Sequence, residues 1–122
     1  MTKTQALLEF FNSFGVDAYP NTAVPDKAKL PYMSYEVKTG SFGNLPVPIG
    51  VSLFYHTDSE SVPNAKAEEI GKRLGDGGAT VRCDDGLLWI KKGDPFCLNQ
   101  NVQDDNSTKL RFMNMYIEFI TL

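Results

Sequence analysis

His56, Cys83 and Cys97 are the residues of this chain whose types could supply a general base and a nucleophile. Nucleophilic catalysis needs a nucleophile on an exposed turn and a base whose orientation is fixed by a third group. The sequence contains no Gly-x-Ser-x-Gly segment, and His56 stands near the end of a strand-like aromatic run. The pattern therefore favours a surface or half-buried histidine. A small hydrolase that uses His56 or Cys97 stays open as an alternative.

The two cysteines are expected to be free thiols. Proteins of a reducing cytoplasm rarely form disulfides, and their cysteines pack as small apolar side chains. A zinc site made with two cysteines would need histidine partners, and the chain has one histidine. The cysteines therefore predict neither a structural disulfide nor a metal site.

The glycine-rich run Gly75–Gly78 invites comparison with a phosphate-binding loop. Such a loop has the spacing G-x-x-x-x-G-K-[ST] between a strand and a helix, so that N–H groups at the start of the helix meet the phosphate. In this chain the glycines follow a helical pattern and precede a strand-like one. They predict a helix end and a turn.

Three pairs of adjacent carboxylates occur in the sequence: Glu68–Glu69, Asp84–Asp85 and Asp104–Asp105. Acid–base catalysis needs two carboxylates that face one pocket in different environments, whereas neighbours on a strand or turn point apart. Asp85 is explained by a tight turn with Gly86, and Glu69 by a helical ion pair with Arg73. We therefore predict no catalytic residue, no cofactor and no metal ligand.

The charge balance bears on the class of partner. The chain has 12 Lys and Arg against 15 Asp and Glu, a net charge of −3, and the acids are spread along its length. A protein that grips phosphate backbones needs a clustered basic face, so the composition argues against that class. No apolar run reaches about eighteen residues, which predicts no membrane-spanning helix. Glu9 and Asn12 interrupt the N-terminal apolar stretch, which predicts a helix of a protein made in the cytoplasm rather than a secretion signal.

Two helices are predicted within a single domain that covers residues 1–122. Thr2 and Gln5 form a capping-box pattern at the start of the first helix, and Gly15 is expected to end it. Ser61 is expected to cap the second helix. Pro20, Pro25 and Pro31 lie between the helices and predict an extended connector, because proline cannot continue a helix.

Alternating apolar and polar residues predict the strands. Asp85-Gly86 is predicted as the two-residue turn between Val81–Cys83 and Leu87–Ile90, and Phe96–Val102 as a short separate strand. The element order is helix, two strands, helix, then three or four strands, with short connections. This order predicts an α+β domain with a mostly antiparallel sheet of about four to six strands and two helices packed on one face.

The predicted sheet is apolar on both faces. In the last strand Met113 and Met115 share one face, whereas Phe112 and Tyr116 share the other. A sheet that is apolar on both faces is covered on both, so we expect a partner subunit over the face that the helices leave free. The candidate interface residues are Phe42, Leu45, Phe54, Trp89, Phe112 and Tyr116.

Two segments are further candidates for the interface. Thr39–Gly50 is twelve residues long, and loops of this length in compact domains are usually functional. Asp94–Lys109 holds a very polar turn. Trp89 fits either the core or an interface, since tryptophan commonly anchors interfaces.

The chain also resembles the tail terminator, or tail-completion, proteins of long-tailed bacteriophages. The resemblance rests on the order of "AYPNTAVPDKAKLPYMSYEV", a strand, a helix, "LLWIKKGDPF" and the closing "RFMNMYIEFITL", with a YP…P…LPY-x-x-Y stretch that joins the first helix to the sheet. It implies a non-enzymatic virion protein that assembles as a ring, usually of six, at the head–tail junction. The implied partners are other copies of the chain, the tail tube protein and the head connector protein.

The resemblance also implies that DNA passes through the ring without sequence-specific binding, which suits an acidic chain with few arginines. A minor capsid protein or another head–tail connector subunit is a close alternative. A small binding or regulatory module is a more distant one. No cofactor and no membrane partner are implied.

Overall fold

The computed structural model describes residues 1–38, 45–102 and 105–122, without the side chains of residues 105 and 106. Within these ranges the chain forms two helices and six strands, which confirms the predicted α+β class. The elements are α1 (Lys3–Asn12), β1 (Asp17–Pro20), β2 (Tyr32–Tyr35), β3 (Val47–His56), α2 (Ser61–Leu74), β4 (Ala79–Cys83), β5 (Gly86–Val102) and β6 (Asp105–Thr121). Neither helix is long and apolar enough to cross a membrane.

Helix α1 begins at the predicted capping box. The Gln5 N–H donates to the Thr2 hydroxyl over 3.1 Å, and the Thr2 N–H donates to the Gln5 side chain over 2.8 Å. The prediction that Gly15 ends this helix is wrong. The helix ends earlier, because the N–H and hydroxyl of Ser13 both turn back onto the Phe10 carbonyl. Gly15 takes its left-handed φ of 81° in the loop that follows.

Helix α2 begins without a side-chain cap. Ser61 was expected to be the cap, but it is the first helical residue, and Glu60 occupies the cap position without bonding the helix end. The Glu60 carboxylate instead accepts a hydrogen bond from Arg111. The tertiary ion pair has therefore replaced the local cap. Pro63 lies in the first turn, where its missing N–H costs nothing.

The strands form one mixed sheet in the order β1-β2-β3-β6-β5-β4. β1 pairs in parallel with β2, with Ala18 opposite Met33, and the remaining neighbours pair antiparallel. The start of the predicted proline-rich connector is thus an edge strand. Pro20 is tolerated because it is the last residue of an edge strand, where a ladder N–H is not needed.

The hairpins differ from their predicted positions. Cys83 pairs with Gly86, so the β4–β5 turn consists of Asp84 and Asp85 rather than of Asp85 and Gly86. Asp85 has a φ of 67°, a conformation that aspartate tolerates better than most residues. The segment predicted as a separate short strand is the second half of β5, which continues past an irregularity between Lys92 and Cys97.

The core is built from alternate strand residues and from the apolar stripes of both helices. Its members include Leu7, Phe11, Met33, Tyr35, Val51, Leu53, Ile70, Leu74, Leu88, Ile90, Met113, Met115 and Ile117. Helix α1 contacts both β1 and β4, which are the two edge strands of the sheet. The sheet is therefore curled, and one helix contacts both of its edge strands.

Tyr35 places a hydroxyl in this core, and no described residue forms a hydrogen bond with it. The residue is 1% exposed, its ring stacks on Phe11 at 4.5 Å, and burial raises the pKa of its phenol. An unpaired buried hydroxyl costs roughly 1–3 kcal/mol. We expect the free energy of unfolding of Tyr35→Phe, measured by urea denaturation, to be unchanged or raised by up to about 1 kcal/mol. Tyr116→Phe, at an exposed ring, should leave it unchanged; a clear loss for Tyr35→Phe would reveal a partner for its hydroxyl.

Candidate subunit interface

The strand registers sort the side chains onto two faces of the sheet. On β3, Val51 and Leu53 are fully buried, whereas Ser52 and Phe54 alternate with them on the opposite face and are partly exposed. The register then fixes the neighbouring strands, since residues opposite one another in a pair share a face. We call the face of Val51 the inner face and the face of Phe54 the outer face.

Aromatic rings line the outer face at the β1 side. Tyr19 meets Tyr32 edge to face with centroids 6.1 Å apart, and Tyr32 meets Phe54 at 5.1 Å. Phe54 is opposite Leu110 on β6. The three rings are all partly exposed, because each shields only one side of the next. They begin an apolar row that runs across the strands rather than along them.

The row continues over β6 and β5. Phe112 pairs with Ser52 on one side and with Leu98 on the other, and Leu98 is 43% exposed. We call the full set the outer stripe: Tyr19, Tyr32, Phe54, Leu110, Phe112 and Leu98. It crosses five of the six strands. A continuous apolar row of this kind on an accessible sheet face is typical of a protein contact site.

Local contacts hold Phe112 in the stripe. A Cβ at Gly50 would lie 2.6 Å from the tip of the Phe112 ring, so the absence of a side chain there makes room for the ring. The Gly50 N–H donates to the Glu36 carboxylate, which fixes the strand backbone beneath it. Asn114, next along the outer face, donates to the Pro95 carbonyl over 3.0 Å.

The other predicted interface residues are placed as follows. Tyr116 is 41% exposed and, with Phe112, lines an outer-face cavity of about 360 Å³. Leu45 is 77% exposed. Trp89 is partly exposed on the outer face, and its ring N–H donates to the Gly77 carbonyl over 2.6 Å. Phe42 lies outside the described residues.

The residues considered for catalysis do not gather into a described site. His56 is exposed at the end of β3. Cys83 and Cys97 are free thiols, and burial raises the pKa of each, which disfavours the reactive thiolate. Within the described ranges no group of three or more His, Cys, Asp and Glu residues could hold a metal ion. Glu69 pairs with Lys66 over 3.1 Å rather than with the predicted Arg73.

The sequence reasoning missed a buried ion cluster on the inner face. Arg111 is 1% exposed; it donates to Glu60 and, over 2.8 Å, to Asn64 of α2. Lys109, also buried, lies 3.3 Å from the other Glu60 oxygen. These hydrogen bonds, from Arg111 first and then Lys109, lower the pKa of Glu60. One signal was present in the sequence, since Lys109 and Arg111 have the same strand parity as the core residue Met113.

Comparison with protein-family models, with curated proteins and with solved structures finds no match for this chain.

Proposed function

We propose that the chain is a non-enzymatic structural subunit that assembles with copies of itself into a ring, and that it acts as a tail terminator of a long-tailed bacteriophage. The ring, most simply of six subunits, caps the tail tube and joins it to the head connector. The observation that carries the proposal is the outer stripe, because an apolar row across five strands is best covered by another subunit. The phage role rests on the sequence resemblance.

The position of the helices supports this role for the outer face. Phe11 of α1 stacks on Tyr35, and Asn64 of α2 accepts from Arg111. Tyr35 pairs with Val51 and Asn99 with Arg111, and all four residues belong to the inner face of a mostly antiparallel sheet. We infer that both helices pack on this one face. Neither described helix then lies above the outer stripe.

Ring closure needs a contact between two different patches of the subunit, since a contact between identical patches stops at a dimer. In the proposed ring the outer stripe of one subunit meets a different surface of the next. The net charge of −3 would let DNA pass the ring without being held. The protein would be made in the bacterial cytoplasm and end in the virion at the head–tail junction, with no cofactor and no membrane partner.

Two other functions are alternatives to the tail terminator. A minor capsid or connector subunit of the same kind of particle would use the same outer stripe, and only its neighbours in the virion would differ. A small binding or regulatory module is the second candidate, and it is favoured by a groove of about 620 Å³ between α2 and β5. A hydrolase with Cys97 as its nucleophile is disfavoured by the raised pKa of the Cys97 thiol.

Light scattering after size exclusion, over a range of protein concentrations, tests self-assembly. We expect a mass several times 13.6 kDa and rings in electron micrographs of the same sample. Phe54→Glu places a charge in the outer stripe and should give monomers that keep the circular dichroism of the parent. Val62→Glu is the matched control, because Val62 is 46% exposed on α2, away from the stripe. A 13.6 kDa species at every concentration would favour the binding module instead.

A further inference from the structure

Residues of α1 and of the N-terminus lie beside both edge strands of the sheet. At β1, the Asn12 side chain both accepts from the Ala18 N–H over 3.0 Å and donates to the Ala18 carbonyl over 3.1 Å, as a neighbouring strand would. At the other end β4 contacts α1, and the Asp84 N–H donates to the Met1 carbonyl over 2.7 Å. Part of each edge strand is thus flanked by the chain itself, which hinders pairing with another chain there.

One edge segment is left open among the described residues. β4 pairs with β5 only from Gly86 to Ile90, whereas β5 continues to Val102. Along the segment Cys97–Val102, β6 lies on one side and no described strand lies on the other. Every second residue of such a strand directs its N–H and C=O groups away from its partner. This segment also lacks the lysine and proline that usually guard exposed edges.

A groove of about 620 Å³ runs between this edge and α2. Its apolar lining includes Ala67, Gly71 and Phe96, and the Phe96 ring lies close enough to Gly71 that a Cβ there would be 3.1 Å from it. The volume is in the range of ligand-binding pockets. The charges around it balance, with Glu68 and Asp76 against Lys72 and Lys92.

We propose that the Cys97–Val102 edge and the groove beside α2 together bind an extended, uncharged segment of another protein, which adds to the sheet as a further strand. In strand addition, backbone hydrogen bonds supply affinity and pockets for alternate side chains supply specificity. The open edge offers the hydrogen bonds, and the groove offers a pocket for apolar side chains on the side of α2.

A second copy of this chain fits the groove less well. Since β1 and β4 are both flanked by α1, the open edge that a second copy has among its described residues is the same segment. The side chains of that segment on the inner face are Cys97, Asn99 and Asn101, as the pairing of Asn99 with Arg111 shows. A paired copy would bring one small cysteine and two polar asparagines to the groove and leave most of its apolar lining unfilled.

The test uses the full chain and, as probe, a short capped peptide that alternates threonine with valine. Titration is followed by the amide signals of the protein in nuclear magnetic resonance. We expect shifts in Cys97–Val102 and along α2, and slower hydrogen exchange at every second amide of that edge. Shifts confined to other parts of the protein, or no shifts at all, would overturn the proposal. So would concentration-dependent shifts at this edge without peptide, because they would identify a second copy as its occupant.

Two matched pairs sharpen the result. Ala67→Leu fills the groove and should weaken binding by about tenfold or more, whereas Ala65→Leu, at an exposed position of α2, should leave it unchanged. Equal affinities for the two variants would contradict the proposal. The second pair leaves the protein unaltered: the peptide is N-methylated at every valine or at every threonine. Since alternate residues bond through opposite edges, one form should bind like the parent and the other should not.

Discussion

Gly86→Ala is expected to destabilise the fold by about 3 kcal/mol or more, at the upper end of the cost of overpacking. Gly86 is buried at the start of β5, opposite Thr121 of β6. A Cβ at this position would overlap the Ile120 carbonyl oxygen and lie 3.0 Å from the Phe119 ring. Because the carbonyl belongs to the strand backbone, no side-chain rotation relieves the overlap. The hairpin would have to shift its register or separate at this end.

Gly77→Ala is the matched control. A Cβ at Gly77 meets nothing within 4 Å, and its carbonyl bond to Trp89 does not involve the side chain. Removal of a glycine from an unstrained position restricts the unfolded chain, so this variant should be neutral or stabilised by up to about 1 kcal/mol. Urea denaturation of both variants gives the comparison. Similar free energies of unfolding for the two variants would contradict the prediction, because they would show that the β5–β6 backbone can move to accommodate a side chain at position 86.

Glu60→Gln is expected to lower stability far more than Arg111→Met, although the two residues form one ion pair. Arg111 is 1% exposed, and Lys109 beside it is 7% exposed, whereas the Glu60 side chain is 55% exposed. Loss of the carboxylate leaves two buried cations uncompensated, which is strongly unfavourable. Replacement of the arginine by methionine removes a buried charge and leaves Glu60 free to be hydrated and to pair with Lys109. We expect Arg111→Met to change stability by no more than about 1 kcal/mol.

The urea midpoints of the two single variants and of the double variant measure this asymmetry. The double variant should recover part of the stability lost in Glu60→Gln, because one of the two uncompensated cations is gone, whereas Lys109 still lacks its carboxylate partner. If Arg111→Met proved the more damaging single change, the packing of the arginine stem, rather than the burial of its charge, would dominate.

The same cluster gives the fold a pH dependence of known sign. The pKa of Glu60 in the folded state lies below its usual value of 4.5, because Arg111 and Lys109 bond its carboxylate. The carboxylate therefore stabilises the fold above the unfolded pKa, and this contribution is lost as the pH falls through the folded pKa. Denaturation midpoints should fall on acidification below about pH 4.5, and Glu60→Gln should remove this part of the decline.

The two proposed contact surfaces lie on different sides of the sheet and share one residue, Leu98. The outer stripe belongs to the face of Phe54, whereas the groove lies on the inner-face side between α2 and the edge of β5. Leu98 is the place where they approach one another, since it is in the stripe and also within the open edge. A ring that uses the stripe would leave the groove open to a different protein.

Features that depend on neighbours along the chain could be predicted from the sequence. The capping box at Thr2 and Gln5 is a local hydrogen-bond pattern, and it starts α1 as predicted. The alternation in β3 and β6 places Phe54 and Phe112 on the outer face and Val51 and Met113 on the inner face, because the side-chain period of a strand is two. These local patterns were sufficient for the α+β class and for part of the outer stripe.

Features that depend on which strands pair could not be predicted in this way and are known from the folded structure. Tyr19 and Leu98 complete the stripe through the parallel pairing of β1 and the register of β5, and neither is visible in local sequence. Asn12 closes the β1 edge by reaching Ala18 across a loop. Arg111 can be buried because its charge pairs with Glu60, which is 51 residues away in the sequence. Side chains distant in sequence can bond the free N–H and C=O groups of an edge strand, or pair with a buried charge, only after the fold has brought them together. The local sequence pattern does not indicate which distant residues will meet.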